Sequence, residues 1–146
     1  MKLSEIQKEW EKDAPINEMN LGTEATRVPI LHSKYLGILG NSKLQLRKAE
    51  SSYYNTRSLK YRYYRGEMTV GELTELGWDQ DQGNKPLKNE MDEFLQCDPL
   101  LIEWQDKIEY HKTVIYTLEQ IIRSINSRTW DIKSGIEWSK FTNGMM

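Results

Sequence analysis

The chain has a single cysteine, Cys97, among its 146 residues. No intramolecular disulfide can therefore staple the fold, and no cysteine cluster can hold zinc. The two histidines, His32 and His111, lie far apart in sequence, and no glycine-rich phosphate loop is present. Carboxylates are plentiful, but none is spaced with a candidate nucleophile, so neither an enzyme nor a cofactor or metal site is expected. No apolar run approaches the ~20 residues that cross a bilayer, and the opening "MKLSEIQKEW" has no signal-peptide apolar stretch. A lone thiol suits a reducing compartment, and a cytoplasmic location is expected. Only four prolines and nine glycines interrupt the chain, which leaves room for long helices.

What is present is charge and aromatic surface. Charged residues make up 29% of the chain and hydrophobic ones 38%, with five Trp, eight Tyr and two Phe available for burial. These proportions suit one polar domain over 1–146 with a modest core. The formal net charge of −2 conceals a strong segregation. Residues 43–66 carry seven cations against one acid, a net of +6. Residues 67–107 carry eleven acids against three lysines, a net of −8. A near-neutral total therefore does not argue against a polyanionic partner. Within the basic block, "YYNTRSLKYRYYRG" (53–66) packs five tyrosines and four cations into fourteen positions with no acid.

The periodicity predicts an all-α fold of two long helices with short flanking ones. "SEIQKEWEKDA" reads as a short helix with Ser4 and Gln7 at capping-box spacing, followed by a linker, "INEMNLGTEAT". From about Val28 to Arg65 apolar and small residues recur at three- and four-residue steps, with Pro29 expected in the first turn. Gly37, Gly40 and Asn41 weaken the middle, where a kink is possible, and Gly66 closes the helix. Thr69 and Glu72 cap a further turn or two that Gly77 ends, leaving Trp78 beside an acidic loop, "DQDQGNKP". Trp78 has two readings, a contact for another protein or a ring folded back onto the helices. A short helix around "LKNEMDEFLQ" precedes the last long helix, which begins near Pro99. Its seam runs Leu101, Trp104, Ile108, His111, Ile115, Leu118, Ile122, Ile125, Thr129, Ile132, Ile136. Three parts follow: an N-terminal helical part (1–66), an acidic loop with short helices (67–98) and a C-terminal helix (99–146).

At 100° per residue, Lys43, Arg47, Tyr54, Arg57, Tyr61 and Arg65 fall on one flank of the first long helix, interrupted by Glu50. Lys60 and Tyr64 lie nearer the core, and Tyr53 and Tyr63 point into it. Interleaved cations and rings are what single-strand binding requires, the cations neutralising phosphate and the rings stacking on bases at roughly 1–3 kcal/mol each. The competing reading is a solvated basic face over packed tyrosines. Two such long helices have a thin core for their length, which favours burial of the remaining apolar edge in a homo-oligomer through Ile115, Leu118, Ile122, Ile125, Ile132 and Ile136. An antiparallel hairpin satisfied within one monomer is the alternative. A purely structural coiled-coil adaptor, binding a basic protein through its acidic segment, is a further reading.

Several segments, in order, resemble the UvsY family of recombination mediators from T-even-type phages: "MKLSEIQKEWEKD", "HSKYL", "LKYRYYRG" and "INSRTWDIKSGIEWSKFTNG". The last is the most specific, through Ser127-Arg128, Ile132-Lys133, Phe141 and Gly144. The insert "GEMTVGELTELGW" is closer to versions from marine-type phages. The resemblance implies a helical protein in a ring-like, cyclic homo-oligomer of six or seven subunits, assembled through its C-terminal region. It implies single-stranded DNA binding, loading of the phage RecA-like recombinase onto strands coated by the phage single-strand DNA-binding protein, contact with both proteins, and no nucleotide hydrolysis. The family's two key basic positions fall on Ser58 and Lys60. Lys60 keeps the charge and Ser58 departs from the pattern, with Arg57, Arg62 and Arg65 nearby to supply it. Tyr63 and Tyr64 match the family's tyrosine pair. The expected DNA-contacting set is therefore Lys43, Arg47, Tyr54, Arg57, Lys60, Tyr61, Arg62, Tyr64 and Arg65.

Overall fold

A computed structural model describes residues 1–80 and 85–144, which include five α-helices and no strand. They are α1 (Leu3–Asp13), α2 (Leu21–Tyr64), α3 (Val70–Leu76), α4 (Met91–Gln96) and α5 (Pro99–Thr142). The all-helical class with two long helices is thus as expected. Of the acidic loop at 79–86, residues 81–84 lie outside the described residues. Among the described residues no helix is long and apolar enough to cross a membrane. The chain forms two compact units: residues 1–45 with 111–146, and residues 46–110.

In the first unit, α1 and the facing parts of α2 and α5 enclose Ile6, Leu31, Tyr35, Leu39, Val114, Leu118, Ile121 and Ile125. Leu21 packs on Gly135 while Glu24 meets Arg128, so the two long helices run antiparallel here. Helix α1 begins two residues earlier than its Ser4–Gln7 spacing suggested, because the Glu5 carboxylate accepts the Lys2 amide at 3.0 Å. The Trp10 ring stands edge-on to Tyr35, with centroids 5.6 Å apart. Lys34 bridges Glu9 at 2.8 Å and Asp13 at 2.7 Å, and the Tyr35 hydroxyl donates to Asp13 at 2.8 Å.

Helix α2 begins at Leu21 rather than near Val28, which places Pro29 inside the helix instead of its first turn. The stretch expected as a linker, residues 16–26, instead holds a 3-10 turn, Glu18–Asn20, capped by the Asn17 side chain accepting the Met19 amide at 3.0 Å, and the first six residues of α2. Tertiary anchors outweigh the proline: Leu21 rests on Gly135, and the carboxylate of Glu24 is buried against Arg27 and Arg128. Pro29 itself lies on the exposed side. Helix α2 also continues unbroken through Gly37, Gly40 and Asn41, all exposed, while Tyr35 and Leu39 hold the opposite side.

The buried stripe of α5 is rotated from the expected seam. In the first unit it runs Val114, Leu118, Ile121, Ile125, Arg128, Ile132, again at alternating four- and three-residue steps. Ile115 and Ile122 flank it, Thr129 is exposed, and Ile136 is exposed. Sequence periodicity weighed Arg128 as polar and so drew the line one residue too far round. The buried guanidinium instead donates to the carbonyls of Ala14 and Pro15 and to Glu24.

The second unit has its own core of Met91, Leu95 and Leu101, walled by Tyr53, Tyr61 and Tyr64. Asp98 caps α5, its Oδ1 accepting the amides of Leu100 (2.9 Å) and Leu101 (3.1 Å).

Candidate nucleic-acid interface

The second unit returns the acidic segment onto the basic part of α2, and local chemistry explains how. Helix α2 ends with the Glu67 amide donating to the Arg62 carbonyl and the Gly66 amide to the Tyr63 carbonyl, both at 3.0 Å. This pair of bonds needs a left-handed residue between them, and Gly66 supplies it at φ 71°. The Thr69 hydroxyl then accepts the Glu72 amide at 3.2 Å and starts α3. A second left-handed glycine, Gly77, closes α3 with the same two bonds and delivers Trp78 back toward α2.

Four cations of the expected DNA-contacting set meet acids of this returning segment. Arg62 reaches both oxygens of Glu72, at 2.9 and 3.2 Å. Lys60 lies 3.3 Å from Asp98, Arg57 lies 3.7 Å from Asp92, and Arg65 lies 3.1 Å from Glu67. The Lys60 ammonium also sits 4.1 Å from the centroid of the Trp78 ring and 4.9 Å from that of Tyr63. Its side chain is only 12% exposed. Trp78 has therefore folded back onto α2, the second of its two readings.

Asp98 organises this corner. Burial pushes its carboxyl up, but the Tyr64 hydroxyl, the Leu101 amide and the Lys60 ammonium outweigh that and hold it below the ordinary 3.8. The Tyr64 hydroxyl donates to Oδ2 at 2.6 Å. Tyr61 faces Arg65, whose guanidinium lies 5.5 Å from the ring centroid and donates to the hydroxyl at 3.4 Å. That hydroxyl bond, with Glu67 behind it, raises the Arg65 pKa.

The remainder of the set lies open. Arg47 and Tyr54 are exposed on α2 in the second unit, and Lys43 is exposed on α2 in the first. Among the described residues Lys43, Arg47 and the neighbouring Lys48 form no ion pair. The structure thus separates the expected set into an open part and a part engaged by acids, with Tyr61 and Tyr64 walling the core. Asp98, Glu72 and Trp78 had not been placed beside these cations from sequence. The signal available was the abrupt change from a basic to an acidic block at residue 66. Of the residues expected to mediate assembly, Leu118, Ile125 and Ile132 are buried in the first unit, Ile115 and Ile122 half-buried, and Ile136 exposed. Among the described residues no group of three His, Cys, Asp or Glu side chains is placed to hold a metal ion.

Such a basic, ring-bearing helix face in an all-helical chain defines a candidate nucleic-acid-binding protein. The pattern of one family, described as "Recombination, repair and ssDNA binding protein UvsY", matches residues 9–145, and the chain belongs to that family. The fold is similar to crystal structures of the bacteriophage T4 recombination mediator protein UvsY. One lattice form superposes with a TM-score of 0.82 at 23% identity, covering 98% of each chain. Another gives 0.80 at 22% identity, covering 94% of this chain and 98% of that one. The search of curated proteins found no match.

Proposed function

We propose that this protein is a recombination mediator that binds single-stranded DNA along the α2 flank bearing Arg47, Tyr54 and Arg57. On this reading it promotes loading of a phage RecA-like recombinase onto strands coated by single-strand DNA-binding protein, in the cytoplasm of the infected cell. Membership of a family named for recombination, repair and single-stranded DNA binding supports the class. The observation that carries the site is the run of cation, ring and cation at exposed Arg47, exposed Tyr54 and half-buried Arg57 on one helix, the last paired with Asp92. A single flank is short and would bind weakly. Repetition around a homo-hexamer or heptamer, assembled through α5, supplies avidity. The adaptor reading draws less support, because Glu67, Glu72, Asp92 and Asp98 are engaged by the chain's own cations.

Fluorescence anisotropy of a labelled single-stranded oligonucleotide tests the site. Affinity falls as salt rises, and Arg47→Ala with Arg57→Ala weakens binding and flattens the salt slope by about 0.7 for each phosphate no longer neutralised. Salt-independent affinity, or a double variant that binds like the parent, sinks the site. Failure of the protein to speed recombinase filament growth on coated strands sinks the mediator role.

A further inference from the structure

We infer that the acidic stretch around α3, with the carboxylates of Asp92 and Asp98, is a built-in competitor for the DNA-binding face, occupying the cations of α2 until a strand displaces it. This rests on the reading that α2 binds single-stranded DNA. A nucleotide offers a cation two chemistries, an anion and a flat ring. The returning segment offers the same two to the same side chains. Glu72 and Asp92 hold Arg62 and Arg57. Around Lys60, Asp98 supplies the anion and Trp78 the ring, at 3.3 Å and 4.1 Å.

The pairings suit a displaceable guard. The Arg57–Asp92 and Arg62–Glu72 pairs are part-exposed at the surface, where ion pairs are weak and screened by salt. Phosphates, closely spaced along a strand, can outcompete them. The helix carrying Glu72 is only seven residues long, and just one of them, Leu73, is buried. Little apolar packing has to be broken for it to lift. Exposed Lys43, Arg47 and Lys48 remain available for a first encounter with a strand while the guard is in place.

Two measurements on the full chain test this. The first compares Glu72→Gln/Asp92→Asn with Glu75→Gln/Glu93→Gln. Both pairs remove two negative charges from the same segment, but Glu75 and Glu93 are exposed and form no ion pair among the described residues. Anisotropy with a labelled oligothymidine is expected to show about fivefold tighter binding for the first variant than for the second, with a steeper salt slope. Equal affinities overturn the inference, because only overall charge then matters. The second measurement uses the unaltered protein and is indifferent to any folding defect of the variants. Coupling is reciprocal, so a strand that displaces the segment must loosen it. Hydrogen exchange in Val70–Leu76 is expected to speed up when oligothymidine binds. Unchanged or slower exchange overturns the inference. If the unaltered protein shows no salt-dependent binding, the DNA-binding reading itself fails. If it binds through Arg47 and Arg57 yet neither result appears, only the competitor fails.

Discussion

Arg128 donates to the carboxylate of Glu24 at 3.0 Å, and both side chains are almost wholly buried although 104 residues separate them in the chain. The same guanidinium reaches the carbonyls of Ala14 and Pro15, which follow α1. One side chain of α5 thereby clamps the end of α1 and the start of α2. Removing it leaves the buried Glu24 carboxylate to Arg27 alone and the Ala14 and Pro15 carbonyls without their donor. Arg128→Ala is expected to cost about 3–5 kcal/mol, read as a large drop in the urea midpoint. Arg128→Met combined with Glu24→Leu should recover part of that loss. A midpoint shift no larger than that of exposed Arg123→Ala contradicts the clamp.

Acid should weaken the fold in a defined window. Asp13, Glu24 and Asp98 are each pushed up by burial, but their hydrogen-bonded and charged partners win, holding them below ordinary values of 3.8, 4.5 and 3.8. Their contribution is complete above those ordinary values. As pH falls below about 4.5, the unfolded chain takes up protons that the folded chain still refuses, and stability drops. Lys34 behaves in the opposite sense. Its bonds to Asp13 and Glu9 raise its pKa above 10.5, so its contribution is intact below that value and lost at higher pH. Denaturant midpoints measured against pH should show a plateau with both shoulders. Flat stability down to pH 3 would mean that these pairs contribute nothing.

The proposed assembly is best probed at the far end of α5, where Trp130, Trp138 and Phe141 are 63–70% exposed. At 100° per residue the three fall within about 80° of one another. Trp138 and Phe141 stack with centroids 5.8 Å apart. Large aromatic side chains on one open face suit burial against another subunit. Trp138→Ser with Phe141→Ser is expected to lower the solution mass in light scattering while leaving helical circular dichroism unchanged. An unaltered mass excludes this face from assembly. Truncation near residue 120 is a poorer test, because it removes Ile121, Ile125, Arg128 and Ile132 from the core of the first unit.

Features set by a few adjacent residues were legible in the sequence. The end of α2 at Gly66, the Thr69 cap, the stop at Gly77 and the start of α5 at Pro99 each depend on a dihedral preference or a side-chain cap. What was not legible depends on partners distant along the chain. The start of α2 at Leu21 needs Gly135 and Arg128, and the buried stripe of α5 includes an arginine that periodicity treats as surface. The pairing of Arg62 with Glu72 and of Lys60 with Asp98 likewise follows from the reversal after α2. Adjacent blocks of opposite charge hinted at that meeting without saying which residues would touch.

The two oxygens of Asp98 have separate duties. Oδ1 fastens the opening amides of α5, and Oδ2 alone receives Lys60 and Tyr64. Withdrawing the lysine would leave Oδ2 to the Tyr64 hydroxyl and the grip of Oδ1 undisturbed. A change of occupant at Lys60 is thereby insulated from the integrity of the forty-four-residue helix that begins next door.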